Sequence, residues 1–368
     1  MFCEISIEIG RSTVRETYLV FSGIQHSMEY FVTGSTGLIG SHVTTKLLAA
    51  GHDVVALTRS RSNANHLPET VTVVEGDITD KESMQDAMAG VDGVFHIAAW
   101  FYVGPGPRNA EKAERINVEG TRNVLELMDE LDIPKGVYTS TLGVYPLRGF
   151  EHIDETVEPA CPKSAVYYRT KWEAHYEVAN PLIDDGLPLV IVQPGIVYGP
   201  GDKSYGSIRG MFRSYLQGDL PMVPRGHYAP WDHVGDIADG HLRAMERGAP
   251  GETYIISGNP RDAVDVLECA EEITGVSVPR VVSPKVFAGL ASVMEIAERI
   301  VTPPEGFEAE SLRFFTDVRW PVDNSKASEE LGITHRPLEE GLRDYLEWEL
   351  AQLNTRGDAK GEPREVAP

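Results

Sequence analysis

Met28-Glu29-Tyr30-Phe31-Val32-Thr33 runs straight into Gly34-Ser35-Thr36-Gly37-Leu38-Ile39-Gly40. A short apolar segment thus enters a glycine-rich turn, which opens an amphipathic segment over 38–50. Glycines at these places serve a tight turn, a close approach of backbone to a pyrophosphate, and close packing of helix on strand. The N-terminus of the following helix offers free N–H groups and a positive dipole end to phosphates. The order strand, turn, helix makes the stretch a dinucleotide cradle, expected at Gly34, Thr36, Gly37, Leu38 and Ile39. Its spacing is GxxGxxG rather than GxGxxG.

Outward from this turn, strand and helix patterns alternate. Strand-like runs cover 29–34, 54–58, 71–75, 93–97, 136–140 and 187–193; helix-like runs cover 38–50, 80–89, 109–132 and 164–185. Short β-branched runs alternating with helices predict an α/β fold, a Rossmann-type doubly wound parallel sheet covered on both faces. Gly51 and Pro134 stand as helix stops. After 194 the rhythm changes to Gly, Pro and Tyr, and from 262 the chain reads as mostly helical. The expected organisation is a dinucleotide domain over 28–194 plus 233–257 and a smaller, mostly helical substrate lobe over 195–232 plus 258–352. Residues 1–27 read as an extension outside the fold, and 353–368 as a disordered tail.

The 368 residues are 42% hydrophobic, enough to bury a real core. Acidic residues number 56 and basic ones 33, a formal charge of −23 that repels phosphate backbones and disfavours nucleic acid as a partner. Only 10 of the cations are Lys against 23 Arg, and this acid-rich, Lys-poor surface suggests a salt-adapted, halophilic protein. No run of 18 apolar residues predicts a membrane span. Cys3, Cys161 and Cys269 are odd in number and far apart, no CxxC or His-rich spacing implies metal, and no secretory signal opens the chain. A reducing, cytoplasmic setting is expected.

Three features carry the chemistry. Arg59 follows the second strand, 19 residues beyond Gly40, where an Asp or Glu would hold the ribose 2′-OH of NAD; an arginine accommodates a 2′-phosphate, so NADP(H) is favoured over NAD(H). Tyr167 and Lys171, four apart, share a helix face. An ammonium near a phenol favours the phenolate, which would let Tyr167 exchange a proton with a substrate oxygen near neutrality. Tyr168, three from Lys171, is the competing phenol. Thr139-Ser140-Thr141 ends the fifth strand, at the carboxyl edge where such sheets bind ligands, and a hydroxyl there can hold a carbonyl oxygen.

Together these residues resemble the extended short-chain dehydrogenase/reductase (NAD(P)-dependent epimerase/dehydratase) family, over roughly 28–350. The resemblance implies that Asp77 and Ile78 meet adenine, that Ala98 and Ala99 lie beside the adenosine ribose, that Asn117 is structural, and that Pro194 and Val197 meet nicotinamide. It places the family's serine-type residue on Thr141, with Ser140 one residue away. Gln193 replaces the usual arginine, and no role passes to it. Phe95–Asn117 and Val322–Ala327 look closest to dihydroflavonol-reductase-like and hopanoid-associated epimerase-like members. The activity implied is hydride transfer between NADP(H) and a small-molecule ketone, aldehyde or alcohol, with Tyr167, Lys171 and Thr141 catalytic. The competing readings are a nucleotide-sugar epimerase or dehydratase with tightly held NAD, using Lys203, Arg209, Arg213 and Arg225 for a diphosphate, and a non-catalytic dinucleotide sensor. Trp100, Phe101, Tyr102, Tyr145, Tyr198 and Trp231 are expected to line an apolar cleft. The family often pairs the helices at 109–132 and 164–185 into a homodimer.

Overall fold

A computed structural model describes residues 7–9, 12–14, 27–101, 107–162, 165–203, 207–298 and 309–358. Seven strands form one parallel sheet: β1 (Glu29–Thr33), β2 (Asp53–Thr58), β3 (Thr72–Glu75), β4 (Gly93–His96), β5 (Gly136–Thr139), β6 (Leu189–Gln193) and β7 (Thr253–Ile255). Their spatial order is β7-β6-β5-β4-β1-β2-β3, so the strand order reverses between β1 and β4. A crevice opens beyond the carboxyl ends at such a reversal, and the glycine turn stands there.

Alternation along β1 fills both faces. Phe31 joins one core layer with the helical stretches 107–130 and 166–184, while Tyr30 and Val32 join the other with α1 (Leu38–Ala49) and α2 (Val234–Arg247). Gly51 closes α1 at φ +85, the left-handed conformation that glycine adopts at least cost. The stretches 107–130 and 166–184 each widen into a π-helical segment, Glu114–Glu119 and Glu173–Ala179. Arg169 pairs with Glu114 across this joint at 3.1 Å.

The second lobe has its own core, built on Phe212, Tyr215, Trp231, Val264, Leu267, Trp320 and Tyr345. Two small sheets brace it. Tyr228–His233 pairs in parallel with Ile196–Tyr198 and antiparallel with Pro260–Asp262; Met222–Pro224 pairs with Arg280–Val282. The division is less clean than the sequence suggests. Ala327, Leu331 and Ile333, expected in the lobe, pack in the dinucleotide half beside α2. The last helix, Leu338–Asp358, runs six residues beyond 352, and 359–368 lie outside the described residues. Of the 1–27 extension only 7–9, 12–14 and residue 27 are described; Ile7–Ile9 and Ser12–Val14 pair with each other. Among the described residues no helix is long and apolar enough to cross a membrane.

Candidate functional site

The glycine turn is built for close approach. Gly34 has φ +74, and a Cβ there would lie 2.7 Å from the Ala98 nitrogen. A Cβ on Gly40 would lie 2.1 Å from the Gly34 carbonyl oxygen. Helix α1 has Gly37 at its N-cap with no side chain capping it, and no acidic residue in its first turn. Among the described residues no side chain caps its first N–H groups, which is what a bound anion requires. The turn fits a dinucleotide pyrophosphate.

From this turn a single cleft of about 610 Å³ runs along the carboxyl edge of the sheet. Its wall brings together Gly34, Thr36, Gly37, Leu38, Ile39, Arg59, Asp77, Ile78, Ala98, Ala99, Thr141, Tyr167, Lys171, Pro194 and Val197, which come from seven separate segments of the sequence. Arg59 is exposed just past β2. Asp77 is shaped by Thr79, whose backbone N–H and hydroxyl both donate to its Oδ1 at 2.9 Å. The Ala98–Phe101 segment is held by Asn117: its Oδ1 accepts from the Trp100 nitrogen at 2.7 Å, and its Nδ2 donates to the Trp100 carbonyl and to Thr170.

Lys171 is 2% exposed, and its Nζ donates to the Thr139 carbonyl at 2.7 Å and to the Tyr138 hydroxyl at 2.9 Å. Burial pushes its ammonium down to about 7. His96 and His175 are pushed down to about 3 by burial and then by this ammonium, so both are neutral. Tyr167 is half-buried, its ring edge-on to Phe101 at 4.8 Å. Burial pushes its phenol up to about 12, and a hydrogen bond with Thr141 pulls in the opposite direction. Tyr167 is hydrogen-bonded to Thr141, and the described bonds of Lys171 go to Tyr138 and Thr139.

The hydroxyl row divides its tasks. Thr139 bonds His241 at 2.8 Å and Ser140 bonds His175 at 2.9 Å, both inward. Thr141 accepts the Gly143 N–H at 3.1 Å and its hydroxyl is hydrogen-bonded to the Tyr167 phenol, so the two oxygens stand together in the cleft. Tyr168 is buried and lies against Gly143, where a Cβ would fall 2.3 Å from its ring.

Several expected wall residues turn elsewhere. Trp100 and Phe101 line the cleft, but Tyr145, Tyr198 and Trp231 are core side chains of the second lobe, and Tyr102 lies outside the described residues. Phe314 and Trp320 supply the aromatic wall instead. Neither sits in a recognisable motif; only their positions in the fold bring them to the site. Arg209 and Arg213, expected as diphosphate cations, both donate to Glu349, which is 0% exposed, at 2.9 and 2.7 Å. Arg225 is exposed and does not line the cleft, whereas Lys203 does, as does Arg209 beside its bond to Glu349.

The family model described as NAD dependent epimerase/dehydratase matches residues 30–257. Sterol demethylase protein B of Methylococcus capsulatus is 28% identical over 335 residues, covering 87% of this chain and 98% of that protein. A 3-beta-hydroxysteroid dehydrogenase of Mycolicibacterium neoaurum is 28% identical over 267 residues, covering 67% and 72%. The crystal structure of gox2253 superimposes with a TM-score of 0.74 at 29% identity, covering 89% of this chain and 99% of that one. With its seven-stranded parallel sheet, its glycine cradle and this match across both, the chain belongs to the NAD dependent epimerase/dehydratase family of extended short-chain dehydrogenases/reductases, and it is an enzyme.

Proposed function

We propose that the protein is a carbonyl/alcohol oxidoreductase that uses NADP(H) in preference to NAD(H), with Tyr167 as its proton donor and acceptor. The observation that carries this reading is the placement of Tyr167 and Thr141 together on the cleft that begins at the uncapped N-terminus of α1. A bound nicotinamide supplies the hydride acceptor or donor. The residues of the chain bind, orient and move the proton. Gly34, Gly37 and the first N–H groups of α1 would take the pyrophosphate; Asp77 and Ile78 the adenine; Ala98 and Ala99 the ribose side; Pro194 and Val197 the nicotinamide side. Thr141, its oxygen already fixed by Gly143, donates to the substrate oxygen and orients it. Tyr167 rests as a neutral phenol, its acidity pushed to about 12, ready to protonate an oxygen as negative charge develops there. Two protons of Lys171 are spent on Tyr138 and Thr139, leaving the third for a ribose hydroxyl.

Trp100, Phe101, Ile208, Phe314 and Trp320 make the substrate end largely apolar. This favours a hydrophobic, ring-bearing ketone or secondary alcohol, the class named in the sterol and steroid relatives. The nucleotide-sugar alternative is disfavoured because Arg209 and Arg213 serve a buried carboxylate. Purified protein should oxidise or reduce sterol-like alcohols or ketones with net change in nicotinamide absorbance, and Tyr167→Phe should lower turnover by about 100-fold or more while cofactor affinity stays within about twofold. Near-wild-type turnover in that variant, or activity confined to nucleotide sugars, would defeat the assignment.

The excess of 56 acidic over 33 basic residues supports salt adaptation. The unfolding midpoint should then rise as potassium chloride is raised to molar levels; a flat response removes the idea. A homodimer through the helices at 107–130 and 166–184 is the matching proposal for assembly. Sedimentation of the full chain tests it.

A further inference from the structure

The loop leaving Ile196–Tyr198 folds back over the cradle. His42, on α1, bonds the Pro200 carbonyl through Nε2 at 3.0 Å, and a Cβ on Gly201 would lie 3.8 Å from the same nitrogen. This pins 199–201 to the helix whose N-terminus faces the phosphates. Two residues on, Lys203 is exposed and lines the cleft together with Arg59 and Asn63. It approaches His66, whose imidazole is held below its ordinary range by burial and then by the Lys203 ammonium. His66 and Asn63 belong to the segment that leaves β2 through Arg59. Lys203 thus lies within electrostatic reach of the segment that follows β2 and Arg59. Among the described residues neither Lys203 nor Arg59 forms an ion pair, although the chain carries 56 carboxylates. Two cations unmatched by carboxylates, facing one end of a cleft in a protein of charge −23, mark a place where negative charge arrives with the ligand.

We propose that Lys203 and Arg59 together hold the 2′-phosphate of NADP(H), Lys203 reaching it from the loop that joins the two lobes. The proposal rests on the NADP(H) reading above. Arg59 offers a planar fork and Lys203 a compact point charge, so the two approach a phosphate from different directions without competing for one oxygen. The loop 199–203 would then be tied to the β2 end whenever the phosphorylated cofactor is present.

The test is direct binding, without turnover. Dissociation constants of NADPH and NADH are measured by fluorescence titration for the wild type, Lys203→Gln, Lys203→Arg and Arg59→Ala, with circular dichroism melting as the folding control. Wild type should favour NADPH. Lys203→Gln should weaken NADPH about tenfold and NADH by less than about twofold, and Lys203→Arg should restore most of the loss. If Lys203→Gln weakens both dinucleotides alike, or leaves NADPH untouched while Arg59→Ala erases the preference, Lys203 does not hold the phosphate although the NADP(H) reading stands. If wild type binds NADH as tightly as NADPH, that reading itself falls and takes this one with it.

Discussion

Asp232 accepts the backbone N–H of Gly195 on Oδ2 at 2.9 Å while its Oδ1 takes the Gly258 N–H at 2.7 Å. One buried carboxylate, 1% exposed, thus ties the cleft-lining segment 194–197 to the chain after β7. A Cβ on Gly195 would lie 2.7 Å from that oxygen, so glycine is what allows the contact.

Burial, and to a smaller degree the nearby Asp236, push this carboxyl up to about 7 against two opposing backbone hydrogen bonds. A carboxyl raised in the folded state favours folding most when protonated. Its contribution is full below the unfolded value near 4 and is lost as pH rises to about 7. Asp232→Asn removes this titration and turns an N–H toward a backbone N–H, costing about 1–3 kcal/mol. In urea unfolding the variant should trail the wild type most at pH 5 and less at pH 8. A gap that widens toward pH 8 contradicts the argument.

The hydroxyls at 140 and 141 should separate by kinetics. Thr141→Ala should lower kcat about 100-fold, and Thr141→Ser should keep most of it. Ser140→Ala leaves His175 Nδ1 without its partner, so it should cost about 1–2 kcal/mol of stability with a small change in kcat. An equal kinetic loss from Ser140→Ala would move the assignment to Ser140.

Gly40→Ala places a methyl 2.1 Å from the Gly34 carbonyl, a backbone atom held at φ +74. The turn must open. Dinucleotide titration should show affinity lost by about 100-fold or more, with a lower melting temperature. Unchanged affinity would mean the cradle is not where the cofactor sits.

Glu349 lies at 0% exposure under two guanidinium groups. Glu349→Ala removes the carboxylate that both bond and should destabilise by about 3–5 kcal/mol, read as a shift in urea midpoint. Replacing Glu349 by Leu together with Arg209 and Arg213 by Met should recover most of that loss, because the penalty is uncompensated buried charge.

The elements were legible because they rest on local patterns. The stretch from Glu29 to Gly40 announced strand, turn and helix, and the observed β1 and α1 begin at Glu29 and Leu38. The segments expected to hold the cofactor line one cleft, because glycine turns and strand ends carry constraints within a few residues and the parallel sheet gathers them at one edge. What escaped was direction. Tyr145, Tyr198 and Trp231 read as wall residues but point into the second lobe, since nothing local distinguishes a buried aromatic from one facing a cleft. Phe314 and Trp320 gave no signal at all. Arg209 and Arg213 looked available because their partner, Glu349, stands well over a hundred positions away along the chain.

The sequence by itself determined a parallel α/β sheet with a phosphate-binding turn, because side-chain period and glycine placement act over single elements. Only the tertiary structure decided which hydroxyls turn inward to histidines, which arginines pair with a buried carboxylate, and that the loop after Tyr198 folds back onto α1. Those outcomes depend on contacts between segments distant in sequence, where packing and desolvation choose among side chains that look equivalent along the chain.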